Sequence, residues 1–126
     1  RSVFKTGEDI QFQLFYNIKD KVKDAVVGIG IFRSDGLQCY GTNTRIDKLK
    51  KYDLTEDGVV TIGLSKVNLL PGEYYIDFAV EEDLGIPVDY YTRACKIEMY
   101  SDLGDVGVCR AEHEWKFKKK VGIELG

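Results

Sequence analysis

The stretch at residues 27–44 constrains the fold most. Val27, Ile29 and Ile31 alternate with Gly28 and Gly30, the period of a strand whose two faces differ sharply. One face is apolar and the other is bare until Phe32. Glycine inside a strand often marks a place where another backbone or a ligand approaches closely. Ser34-Asp35-Gly36 then supplies turn chemistry, because Asp bonds its own backbone and Gly accepts a positive φ without steric cost. The pattern predicts a hairpin: Leu37 and Cys39 on the buried face, Gln38 and Tyr40 on the other, and 41–44 ending the second strand. The glycines leave two explanations open, a bound ligand or close packing of a neighbouring segment.

The rest of the chain repeats the period of two. A first strand is expected over 7–18, with Ile10, Phe12, Leu14 and Tyr16 on one face and Phe15 breaking the pattern. Residues 19–24 read as a charged connection. Between 45 and 57 the apolar residues Ile46, Leu49 and Tyr52 fit either a loop or a short helical turn. Strand character returns over 58–67. Leu69-Leu70-Pro71-Gly72 marks a turn, and 73–82 alternates most clearly, with Tyr74, Ile76, Phe78 and Val80 inward and Tyr75, Asp77, Ala79 and Glu81 outward. A turn at 84–87 is followed by a strand over 88–100 with Cys95, Ile97 and Met99 inward. A last strand is expected over 108–117, placing Cys109, Ala111, His113 and Trp115 on one side and Arg110, Glu112, Glu114 and Lys116 on the other. About seven short strands, frequent turns and no amphipathic helix predict an all-β, antiparallel β-sandwich.

A chain of 126 residues, 44% of them apolar, is sized for one domain, with 117–126 as a tail. The start at Arg1 suggests a piece of something longer. With 18 basic against 21 acidic residues, no global charge attracts a phosphate backbone or an anionic membrane, so nucleic-acid binding is not expected. No apolar run approaches the roughly 20 residues of a membrane helix. Three cysteines without CxxC spacing argue against a disulfide framework and a structural zinc site, and fit a reducing compartment as small hydrophobes.

An enzyme would need a nucleophile, a base or a metal set. The one histidine, His113, lies between Glu112 and Glu114, which a strand would turn to the opposite face; a packed, hydrogen-bonded histidine is the simpler reading. Gly28-x-Gly30 lacks the rest of a dinucleotide fingerprint, and no phosphate-binding loop occurs. The acidic groups at 56–57 and 81–83 lack the spacing of calcium ligands and read as solvated turns, as does the basic run 118–120 as a strand end. No catalytic residue, metal or cofactor is expected. What stands out is a surface: Gln38, Tyr40, Tyr75, Asp77, Tyr90 or Tyr91, Arg110 and Glu112 all fall opposite the expected core. Flat rings mixed with hydrogen-bonding groups suit a sugar, whose apolar face stacks while its hydroxyls take paired donors and acceptors. Eight tyrosines also follow in part from strand propensity, and a protein interface stays open as the alternative.

Several motifs in order carry a family resemblance: Phe4-x-Thr6-Gly7-Glu8, then Gly28-Ile29-x-Ile31-x-Arg33-x-Asp35-Gly36, Tyr40-Gly41-Thr42-Asn43-Thr44, Leu69-Leu70-Pro71-Gly72-x-Tyr74, and Asp105-x-Gly107 with His113-x-Trp115. Together they resemble the C-terminal carbohydrate-binding domain of Wzt, the ATPase subunit of ABC exporters that move O-antigen and related polysaccharides across the bacterial inner membrane. The resemblance implies an immunoglobulin-like sandwich and a homodimer, in some members with an exchanged C-terminal strand. It also implies a place at the cytoplasmic face of that membrane through a membrane subunit, with the ATPase domain outside this chain. It implies recognition of an O-antigen-type glycan before export. It fixes no sugar-contacting residue, so the candidate site rests on face alternation alone.

Overall fold

The computed structural model describes residues 2–82 and 87–119. Eight strands run in chain order: β1 (Val3–Lys5), β2 (Ile10–Tyr16), β3 (Val22–Arg33), β4 (Gln38–Asn43), β5 (Tyr52–Leu54), β6 (Gly58–Leu64), β7 (Gly72–Glu81) and β8 (Pro87–Tyr100). The larger sheet has the order β1-β8-β7-β3-β4, with β5 also on β3, and the smaller sheet is the antiparallel pair β2-β6. Every pairing is antiparallel except β1 on β8, where Phe4 sits opposite Met99. The result is the all-β sandwich that the alternation predicts, with β1 on β8 as its one parallel pair.

The core lies between the two sheets. Ile29, Ile31, Tyr74, Ile76, Phe78, Ile97 and Met99 come from the larger sheet, Ile10 and Phe12 from the smaller, and Phe4, Val67 and Leu69 close one end. Phe12 meets Phe78 edge-on across the layers, with centroids 6.3 Å apart and planes at 70°. That geometry matches the opposed edge and face charges of the two rings. Tyr74 is buried with its hydroxyl donating to the Leu70 carbonyl at 2.6 Å, so the 69–72 turn is anchored from inside the core.

Several expectations need correction. Residues 22–24 belong to β3 rather than to a connection: β5 pairs Val22 with Leu54, and the Asp24 amide donates to Asp53 Oδ1 at 2.8 Å. β5 also settles the ambiguous 45–57 stretch, which is turn followed by a short strand. Leu37 is exposed rather than inward, because β4 starts only at Gln38.

The largest correction concerns 108–117. There is no strand there; one bridge joins Leu69 to Cys109, and the Arg110 amide donates to the Asn68 carbonyl at 2.8 Å, after which 110–118 pairs with nothing regular. Cys109, Ala111, His113 and Trp115 are all exposed, and Trp115 and Phe117 present 79% and 81% of their surface. Alternation makes a strand only where a ladder partner exists, and among the described residues 108–117 finds none beyond Asn68–Leu70. His113 bonds the Ala111 carbonyl through Nδ1 at 2.8 Å and meets Trp115 edge-on, but it is not packed. Cys39 and Cys95 behave as expected: both pack half-buried against the core, and burial pushes both thiols above their ordinary values. The turn at 84–86, Asp83 and the end of the basic run at Lys120 lie outside the described residues.

Candidate functional site

The outward face of the larger sheet carries a groove of about 620 Å³. Its floor is the glycine side of β3 and β4. Gly28 pairs with Asn43 on one side and Ala79 on the other, and Gly30 pairs with Gly41 and Asp77, so in these two rows Gly28, Ala79, Gly30 and Gly41 carry a methyl group or no side chain. Gln38, Tyr40, Thr42, Asn43, Asp77, Glu81 and Tyr90 surround it.

The two glycines of β3 answer the open question differently. A Cβ at Gly30 would lie 2.9 Å from the Phe32 ring and 3.5 Å from Gln38 Nε2, so its bare side is filled by neighbours within the fold. A Cβ at Gly28 would stand in ordinary van der Waals contact, 3.4 Å from the Thr42 carbonyl oxygen and 3.5 Å from Asn43 Cβ, so no neighbouring side chain fills its place.

Asp77 is the polar centre. It lies on the outward face yet is only 7% exposed. β8 bulges there: Ile76 pairs with Cys95 and Phe78 with Tyr91, leaving three residues of β8 opposite Asp77 alone. Arg93, at the middle of that bulge, has φ of 52°, and its amide donates to Asp77 Oδ1 at 2.8 Å. The Tyr90 hydroxyl donates to Oδ2 at 2.8 Å. A buried carboxylate is tolerable only when so satisfied. The bond to Asp77 also raises the Tyr90 phenol above its ordinary value, since a phenolate would lose the bond and face a like charge.

Further along the same face, Arg93 stacks on the Tyr75 ring with its guanidinium carbon 4.4 Å from the centroid, and Lys96 lies 3.8 Å from Glu73. At the other end, Arg45 stands 4.0 Å from Glu81.

Of the residues picked from alternation, Gln38, Tyr40, Asp77 and Tyr90 line this one groove, and Tyr75 lies beside it under Arg93. Tyr40 gets there by an unexpected route. A β-bulge on β4 pairs Phe32 with Gln38 but Ile31 with Tyr40, so Gln38 keeps the outward face while Tyr40 is set opposite a core residue at the sheet edge. It lines both the groove and a second cavity between the sheets, beside Leu64 and Val67. Arg110 and Glu112 are elsewhere. They line a separate cleft with Lys5, Thr6, Lys66 and Asn68, where Arg110 is engaged by Asp105. They leave the groove because the strand that was to carry them does not form. Face alternation missed Asn43 and Ala79. Both were legible only as partners of Gly28, which needs the register. Among the described residues no group of three or more His, Cys, Asp or Glu is placed to hold a metal ion, and no helix is long and apolar enough to cross a membrane.

Fold and groove together define a β-sandwich domain with an open, polar-walled and glycine-floored sheet face. The chain belongs to the Wzt C-terminal domain family, whose model matches residues 1–111. A solved structure described as the crystal structure of the C-terminal domain of wzt superposes with a TM-score of 0.71 at 20% identity, covering 91% of this chain and 72% of that one, and shows the same fold. A search of curated proteins finds no match.

Proposed function

We propose that this chain is a single, non-catalytic domain that binds an O-antigen-type polysaccharide in the groove on the larger sheet, as part of an ABC exporter. The observation that carries the proposal is the groove itself. A floor without a side chain at Gly28, flanked by the Gln38 side chain where it covers Gly30 and Gly41, admits the edge of a sugar ring, and Gln38, Asn43, Asp77 and Tyr90 offer donors and acceptors to its hydroxyls. Each such bond exchanges a water bond for a protein bond at a net gain of about 1 kcal/mol, so affinity is modest and builds up along the polymer. Membership in the Wzt C-terminal domain family supports the exporter setting. The ATPase domain and the membrane subunit are then partners, and the domain works at the cytoplasmic face of the bacterial inner membrane.

The exposed rings of Trp115 and Phe117 favour a protein contact in addition. We assign it to a second copy of this chain: residues 111–118 alternate like a strand and have no ladder partner among the described residues, which a homodimer supplies.

The test is an NMR titration of the labelled domain with the exported polysaccharide. Shifts at Gly28, Gly41, Asp77 and Tyr90 are expected; shifts only at 110–119, or none, overturn the assignment of the groove.

A further inference from the structure

We infer that the groove selects uncharged sugar residues and rejects acidic ones such as uronic acids. The inference rests on the glycan-binding function proposed above and adds the class of sugar. Its basis is the charge of the groove wall. The lining side chains include two carboxylates, Asp77 and Glu81, and among the described residues no lysine or arginine lines the groove. The neighbouring cations are engaged outside it. Arg93 lies on the Tyr75 ring, Lys96 lies by Glu73, and Arg45 approaches the groove only at its end, where it faces Glu81.

Asp77 differs from Glu81 in having no ion-pair partner among the described residues. Both of its oxygens are held by neutral donors, the Arg93 amide and the Tyr90 hydroxyl. Those bonds fix the carboxylate in place and leave its charge uncompensated beside Gly30, its cross-strand partner. A hydroxyl entering there finds an acceptor. A sugar carboxylate finds a like charge. Two unit charges about 6 Å apart in a water-like dielectric repel enough to weaken binding by roughly threefold, and by more where the groove excludes water.

The test uses the whole chain, labelled with 15N, and two sets of small probes at matched concentration and ionic strength: neutral methyl hexosides, and glucuronate with galacturonate. The expected result is shifts at Gly28, Gly41 and Asp77 with the neutral probes, and a response at least about threefold weaker with the uronates. Glu81→Gln is the second arm. It removes one of the two wall carboxylates and should raise the ratio of the uronate response to the neutral response by about threefold. Equal groove shifts from uronates and hexosides overturn the charge selection and leave glycan binding standing. A ratio unchanged in both Glu81→Gln and Asp77→Asn also overturns it, because the rejection is then not electrostatic. No groove shift with either probe set overturns glycan binding and the selection together.

Discussion

Asp77 and Tyr90 are joined across the β7-β8 pair, the phenol donating to the carboxylate at 2.8 Å, and this bond ties an aromatic ring to the wall of the groove. The ring is more than half exposed, so what the bond fixes is its orientation. Tyr90→Phe keeps the ring and removes the donor. Asp77 then retains only the Arg93 amide, and a nearly buried oxygen is left without its partner. A loss of about 1 to 2 kcal/mol is expected in urea denaturation. Glycan affinity should fall severalfold, because the freed ring samples other rotamers. Unchanged stability together with unchanged binding would show that the bond orders nothing.

The same pair predicts a titration. The phenol of Tyr90 sits above its ordinary value of 10.0 because of the carboxylate. The bond therefore contributes in full below the ordinary value and is lost as pH rises through the higher, folded one. Asp77→Asn removes the charge that opposes phenolate formation, so Tyr90 should ionise at lower pH than in the parent. Difference absorbance of tyrosinate, with Tyr90→Phe as the assignment control, reads this directly.

The hairpin turn offers a test at the acid end. Arg33 donates twice to Asp35, through Nε at 2.9 Å and Nη2 at 2.7 Å, and holds its carboxyl down at about 2. The Leu37 amide adds to the effect. A depressed carboxyl contributes its stabilisation above the ordinary 3.8 and loses it as pH falls through about 2. The pair is solvent-exposed, so the effect on global stability is small. The local titration is the sensitive measurement: in Arg33→Gln the Asp35 side-chain resonance should shift its midpoint back toward 3.8, and a midpoint near 2 in that variant would refute the assignment.

How far the sequence could be read follows from what each pattern depends on. Alternation in β7 and β3 depends only on the pleat, and it placed Ile76, Phe78, Ile29 and Ile31 in the core and Asp77 on the outer face. Tyr40 was placed on the wrong side of β4, because one extra residue at the bulge reverses every later side chain, and a bulge at Cys39 has no composition of its own. The three-residue bulge opposite Asp77 left no trace either: Arg93 at positive φ is a bulky residue where glycine would be the signal. Residues 108–117 carry as clean an alternation as any stretch of the chain, yet no strand forms, since pairing is a property of neighbours. Arg110 and Glu112 were misplaced with it.

Gly28 separates the groove from the fold that builds it. A Cβ added there would stand in van der Waals contact with its cross-strand neighbours, 3.4 Å from the Thr42 carbonyl oxygen and 3.5 Å from Asn43 Cβ, without having to displace a side chain. Gly28→Val adds a branched side chain well suited to a strand, so folding should stay within about 1 kcal/mol of the parent. The same side chain stands on the groove floor where a sugar ring would lie. Binding should drop at least tenfold with an unchanged melting profile. Gly30→Val is the contrasting control, because its Cβ would already press on Phe32 at 2.9 Å, and its cost should fall on stability.

Trp115 and Phe117 test the assignment of a second copy to residues 111–118. Both are about four-fifths exposed, and such rings in water are stable places for association rather than for a free surface. Sedimentation of the parent should show a concentration-dependent dimer. Trp115→Ala with Phe117→Ala should move it to monomer without touching the core, since neither ring contributes to the cluster between the sheets. Fluorescence supplies the independent readout. Trp115 is the only tryptophan of the chain, so its emission should shift to the blue as the dimer forms and buries it. A parent that stays monomeric, with a fully solvated tryptophan at every concentration, would assign this segment to a different partner.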